Sequence, residues 1–245
     1  MVIISDDDIG DLVKRQVSVV LLSGGLDSCV AATLEAQEQG KDVYLFSIDY
    51  ESAPSKMEIA ARGLIAAWLS KNYGNVKEHR QVRLEGYMNL RTISKDGIVP
   101  QGYPFTRDEA FMLLGATWLE NLLLHNDNYS SGKVVIATTK EDTKNFEDIR
   151  PEIYCHINGI LRTKYANKFG KKMEVSTPLI DSMKHEAVSL GLRIKAPLQY
   201  TWSCYGEGPD PCKECDQCYW RADAFRKAGI SDPAILVPKL LKTAQ

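Results

Sequence analysis

Six residues, Ser23-Gly24-Gly25-Leu26-Asp27-Ser28, separate a β-branched apolar run from an Ala-rich stretch. Such residues at a strand-to-helix junction make an anion site. The glycines let the backbone turn with positive φ and aim N–H groups at a ligand. The helix start adds partial positive charge. The Ser23 and Ser28 hydroxyls can donate to phosphate oxygens. Asp27 would repel a bare phosphate, so it suits a Mg2+ bridging to pyrophosphate, or a helix cap. No Gly-Lys-Ser/Thr follows, which excludes a Walker A loop, and the dinucleotide fingerprint is absent too. The predicted nucleotide-binding segment is Leu22, Ser23, Gly24, Gly25, Leu26, Asp27 and Ser28. The plain alternative is a Gly-rich turn with a capping Asp and no ligand.

A second constellation lies late in the chain. Cys204, Cys212, Cys215 and Cys218 read C-x7-C-x2-C-x2-C. Two-residue gaps let thiolates converge on one ion, and four of them satisfy tetrahedral Zn2+. With no His among them and no open position, the site would be closed and structural, folding the segment around it. An iron–sulfur cluster and a pair of disulfides are the alternatives. Cys29 falls beside the glycine loop, where a thiol pKa can drop; a small buried packing residue is the plainer reading. Cys155 is given no chemistry. His79, His125, His156 and His185 show no metal spacing and read as structural or surface residues.

These groups need a frame. Residues 17–22, 43–48 and 134–137 read as buried strands. Residues 28–39 read as a helix ending near Gly40. Ser55 with Glu58, and Thr106 with Glu109, read as capping boxes, the second opening a helix to about Leu124. Pro151 fits the first turn of a helix to about Lys168. One last helix covers roughly 216–228. Alternating strands and helices predict an α/β fold with a parallel sheet covered on both faces. The texture changes near Trp202, which predicts a nucleotide-binding α/β domain over 1–201 and a zinc-binding C-terminal subdomain over 202–245.

The chain has 245 residues, 44% hydrophobic and 25% charged, with net charge −2. These values fit a soluble globular chain and imply no basic nucleic-acid face. No run reaches the roughly 18–20 apolar residues of a membrane span. The Ser5-Asp6-Asp7-Asp8 start is acidic where a signal peptide is basic, so a cytoplasmic location is expected.

The glycine loop resembles the pyrophosphate loop of the PP-loop ATP pyrophosphatases, of the adenine nucleotide alpha hydrolase-like (HUP) type. Loop and cysteines together, in this order, resemble one branch, the 7-cyano-7-deazaguanine synthase (QueC) family, over about 17–228. Phe146-Glu147-Asp148-Ile149-Arg150-Pro151-Glu152 is similar to the family's Tyr-Pro-Asp-Cys-Arg-Pro-Glu. Thr177-Pro178-Leu179-Ile180 with Lys184 is similar to its Thr-Pro-Leu-Ile-x-x-x-Lys. Thr201-Trp202-Ser203-Cys204-Tyr205, Arg221 and Phe225 also fall in register.

The resemblance implies a doubly wound PP-loop fold with a small zinc-knuckle appendage, and an ATP- and Mg2+-dependent C–N ligase. It would activate 7-carboxy-7-deazaguanine, add ammonia to form the amide, and activate again to dehydrate it to the nitrile. Asp148, Arg150, Glu152, Lys184 and Arg107 are the catalytic candidates it implies. Helix capping, a surface salt bridge and a solvated helix lysine are the plain roles open to Asp148 and Glu152, Arg150 and Lys184. A homodimer is the family expectation.

The sequence also departs from the family. Its Gly-Gln-Arg-His after the second strand is replaced by Glu51-Ser52-Ala53-Pro54, with one extra residue before Glu58. Its Pro-Ala-Arg-Asn becomes Pro104-Phe105-Thr106-Arg107-Asp108. Asp for Asn exchanges a group that also donates for a charged acceptor. An alternative therefore stands: a QueC-like antiviral-defence (CBASS-type) protein that couples the activated deazapurine to a protein amine. Asp108, Asp142, Asp148 and Glu152 are all open as the general base.

Overall fold

A computed structural model of the chain describes residues 14–51, 55–90, 93–94, 97–98, 106–145, 149–165, 170–206 and 209–233. The centre is β1 (Arg15–Leu21), and Val17, Val19 and Val20 on it have no solvent exposure. It pairs in parallel with β2 (Lys41–Asp49) on one side and β4 (Tyr129–Val135) on the other. The edges are β3 (Val76–Arg83) beside β2 and β5 (Lys172–Ser176) beside β4. The order β3-β2-β1-β4-β5 is that of a doubly wound sheet.

Period-two alternation sends successive side chains to opposite faces. Val20 and Leu22, with Val43 and Leu45, face α1 (Leu26–Gln37), α2 (Ser55–Asn72), α6 (Lys184–Arg193) and α7 (Asp216–Lys227). Val17 and Val19, with Phe46 and Ile48, face α3 (Arg107–Leu124) and α5 (Pro151–Tyr165). A short α4 (Lys140–Asn145) follows β4. The sheet is thus covered on both faces, as expected.

Several boundaries move. The first helix starts at Leu26 and ends at Gln37, so Asp27 and Ser28 lie in its first turn. Of the two expected capping boxes, the one at Thr106 does not form, and the Ser55 side chain lies outside the described residues. The second helix begins at Ser55 itself, and the Glu58 carboxylate accepts from Arg62 Nη2 at 3.0 Å. Thr106 does occupy the N-cap of α3, but its side chain makes no cap hydrogen bond. Among the described residues, no helix is long and apolar enough to cross a membrane.

Candidate active site

In an open α/β sheet, ligands bind beyond the carboxyl ends of the strands where the order reverses. Here that point lies between β1 and β4. A cavity of about 290 Å3 opens there. Its floor is the turn from β1 into α1. Leu22, Ser23, Gly25, Leu26, Asp27 and Ser28 all line it; Gly24 does not.

Gly24 lies behind the turn at φ +90. A Cβ there would sit 2.9 Å from Glu58 O and 3.3 Å from Arg62 Cγ, so only glycine fits both the conformation and the space. The turn is pinned from outside at two carbonyls. Arg62 Nε donates to Ser23 O at 2.9 Å, and the Trp202 N–H donates to Gly24 O at 2.9 Å. Inside the turn, Gly25 N–H donates to Ser23 Oγ at 3.2 Å and the Ser23 and Ser28 hydroxyls are 2.9 Å apart.

Beside the turn stands a cluster of charge. Lys184 Nζ bonds Asp27 Oδ2 at 2.9 Å and Asp142 Oδ1 at 2.8 Å. Each member comes from a different helix start: α1, α4 and α6. Asp142 Oδ2 also accepts from the Thr139 N–H and hydroxyl at 2.9 and 2.7 Å. Burial alone would discharge Lys184, but the two carboxylates outweigh it and raise its pKa. Burial raises Asp27, Lys184 opposes that, and the Asp142 and Glu141 charges add to the rise. Asp27 Oδ1 is buried without a hydrogen-bond partner. One ammonium facing this carboxylate pair, with one carboxylate oxygen left over, is a donor set that fits a further hard cation such as Mg2+.

The opposite wall is aromatic and basic. Tyr50, just past β2, lies tilted at 60° against Phe111 with ring centroids 5.3 Å apart, and Tyr87 meets Tyr50 edge-on. The Arg107 guanidinium lies 5.9 Å from the Tyr50 ring centroid, and its Nε bonds Asp108 Oδ1 at 2.7 Å. The remaining wall is supplied by Trp202, Ser203, Tyr205, Gln217, Trp220 and Arg221.

The structure thus brings the Leu22–Ser28 segment, Lys184 and Arg107 to one region, together with Asp108 and Asp142. Arg150 and Glu152 are exposed and do not line the cavity, although Ile149 does. Asp148 lies outside the described residues. Cys29 is fully buried and its thiol is raised by burial, so it packs rather than reacts. Arg62, Tyr50 and Phe111 were not foreseen. Arg62 shares the helical spacing 58, 62, 65, 69 with Ile65 and Leu69, and a charge on that apolar face was the available signal.

The four late cysteines converge. Their sulfurs all lie within 4.8 Å of one another, and Cys212 and Cys218 are 3.9 Å apart. Tetrahedral Zn2+ with bonds near 2.3 Å needs sulfurs about 3.8 Å apart, so the donor set fits it. Cys204 Sγ accepts N–H groups of Gly206 and Cys212, both at 3.2 Å. Backbone N–H groups of Glu214 and Cys215 lower the Cys212 thiol to about 6.

The family model of the queuosine biosynthesis protein QueC matches residues 17–229. A 7-cyano-7-deazaguanine synthase of Methanothrix thermoacetophila is 31% identical over 230 residues, 88% of this chain and 96% of that protein. Its counterpart in Koribacter versatilis is 32% identical over 233 residues, 91% of this chain and 94% of that protein. Among solved structures, a 4-thiouridine synthetase in complex with RNA and ATP overlaps 93% of this chain and 53% of its own, with TM-score 0.46 and 16% identity. On the extent of the family match and of these two relatives, the chain belongs to the QueC family.

Proposed function

We propose that this protein is an ATP-dependent C–N ligase that converts 7-carboxy-7-deazaguanine to 7-cyano-7-deazaguanine, the product for which its relatives are named. The observation that carries the reading is the junction of the Ser23–Ser28 turn with the Asp27–Lys184–Asp142 cluster at the reversal point of the sheet.

A carboxylate is a poor electrophile until one oxygen becomes a leaving group. The substrate carboxylate attacks the α-phosphorus of ATP; a P–O bond forms and pyrophosphate leaves. Gly25 and the Ser23 and Ser28 hydroxyls are placed to receive phosphate oxygens, at the positive end of α1. Asp27 and Asp142 would hold Mg2+, which would supply charge to neutralise the leaving pyrophosphate. Lys184 then supplies positive charge beside it. Ammonia adds to the acyl carbon, AMP leaves, and a carboxylate takes the proton; of the open acids that line the cavity, Asp142 is engaged by Lys184 and Thr139, so Asp108 is our assignment. The amide oxygen then attacks the α-phosphorus of a second ATP, a second pyrophosphate leaves, and loss of AMP and two protons gives the nitrile. Tyr50 and Phe111 offer the ring faces for a planar base, with Arg107 for its acid group.

Incubation with Mg2+, ATP, the deazapurine acid and ammonia tests this. We expect acid-dependent pyrophosphate and AMP, with the amide and then the nitrile by mass. No acid-dependent pyrophosphate overturns the reading. An amide on a protein amine without nitrile would replace it with the conjugating alternative.

A further inference from the structure

The cysteine cluster and the glycine turn share a residue. Trp202 stands two positions before Cys204, and its backbone N–H holds Gly24 O at 2.9 Å. The peptide unit is planar, so fixing the Gly24 carbonyl on one side fixes the Gly25 N–H on the other. That N–H meets Ser23 Oγ at the cavity. The Trp202 carbonyl also lies close, 3.7 Å from where a Cβ on Gly25 would stand. On the cysteine side, the indole N–H of Trp202 donates to Cys204 O at 2.8 Å. Its ring is buried with Cys204 against Met57 and Ala61 of α2, and Cys215 and Cys218 pack on that cluster.

Between Thr201 and Cys215 the described residues contain no helix or strand. Order in that stretch depends on what the four sulfurs hold, because binding energy at such a site is folding energy. The same stretch forms part of the cavity wall through Trp202, Ser203 and Tyr205.

We infer that metal occupancy of the four-cysteine site and nucleotide binding at the glycine turn are thermodynamically coupled, with Trp202 as the positioning residue between them. This rests on the reading that the cavity takes ATP. The metal side chain cluster is then part of the nucleotide site rather than a distant staple.

Coupling of two binding equilibria is reciprocal, and typical values run from about 5- to 150-fold. The test uses zinc-loaded protein, α,β-methylene-ATP with magnesium in excess, and a zinc-selective chromophoric chelator. We expect the nucleotide to raise the chelator concentration for half-release of zinc about tenfold. Calorimetry on zinc-depleted protein should show nucleotide affinity weakened by the same factor. Trp202→Ala should reduce the shift below about twofold, and Trp202→Phe, which keeps a ring but loses the indole N–H, should fall between. An unchanged zinc midpoint, in protein that calorimetry shows to bind the nucleotide, overturns the coupling and leaves the function intact. A full tenfold shift in both variants overturns the role of Trp202. No nucleotide heat from the zinc-loaded protein overturns both readings.

Discussion

Lys184 is held by two carboxylates that would otherwise repel each other at the cavity wall. Lys184→Met leaves them facing without a counter-charge. Removing one preorganised group of this kind costs catalysis about 10²–10³-fold. We expect pyrophosphate release to fall by that order, while Lys184→Arg retains part of it; a Met variant within threefold of wild type refutes the assignment. Glu51 poses a different question. Its φ is +63, the left-handed region. The side chain compensates by accepting from Gly86 N–H at 2.8 Å and from Arg83 at 3.1 Å. Glu51→Ala loses those bonds and keeps the strain; Glu51→Gly loses them and relieves it. The Gly variant should therefore melt about 2–4 °C above the Ala variant by thermal denaturation. At this scale the sequence showed the glycine turn and the four cysteines, because contiguous or closely spaced residues carry them. The partnership of Asp27, Asp142 and Lys184 joins residues up to 157 positions apart, so only the resemblance put Lys184 forward, and Asp142 was one of four open acids.

At the scale of elements, the sheet centre was legible and its edges were not. The strands β1 and β2 carry apolar runs because neighbouring strands and helices enclose them, whereas β4, Tyr-Ser-Ser-Gly-Lys-Val-Val, is apolar only at its last two residues, where the expected strand 134–137 overlaps it. The strand β3 reads Val-Lys-Glu-His-Arg-Gln-Val-Arg, and β5 reads Lys-Met-Glu-Val-Ser. Edge strands carry charge to discourage pairing with other chains, which hides them from a search for apolar runs. Two glycines test how closely the layers meet. A Cβ on Gly132 of β4 would lie 2.5 Å from Leu119 Cδ1, 2.8 Å from Val17 Cγ1 and 2.9 Å from Val17 O. Gly132→Ala should destabilise by about 1–3 kcal/mol as an overpacked core does. Gly63, in α2, has nothing within 4 Å of the same position. Gly63→Ala should instead stabilise by about 0.5–1 kcal/mol through helix propensity. Urea denaturation of both variants checks the pair, and equal shifts would contradict the packing described.

For the whole molecule, the buried Glu35 and the half-buried His79 shape the response to acid. Glu35 of α1 is buried between Ser18 Oγ at 2.7 Å, Lys41 Nζ at 2.8 Å and Lys133 Nζ at 2.9 Å. Burial favours its neutral form, but the lysines and the hydroxyl win and its pKa falls below the ordinary 4.5. The unfolded chain therefore takes this proton first, and Glu35 contributes stability above pH 4.5 that is lost as pH drops through its folded value. His79 works earlier. Its Nε2 lies 2.9 Å from Ser47 Oγ, and burial, then the Arg62 charge, push its pKa below the ordinary 6.5. The folded state again binds its proton later than the unfolded chain. Stability is full above pH 6.5 and declines as pH falls below it. Asp27 opposes the trend, since its raised pKa lets the folded state bind a proton above pH 3.8. Melting temperature should thus begin to decline as pH falls below 6.5, and His79→Gln, whose amide can still donate to Ser47, should flatten that first decline. Parallel melting curves for wild type and variant from pH 8 to 5 would remove His79 from the account and return the acid limb to the carboxylates.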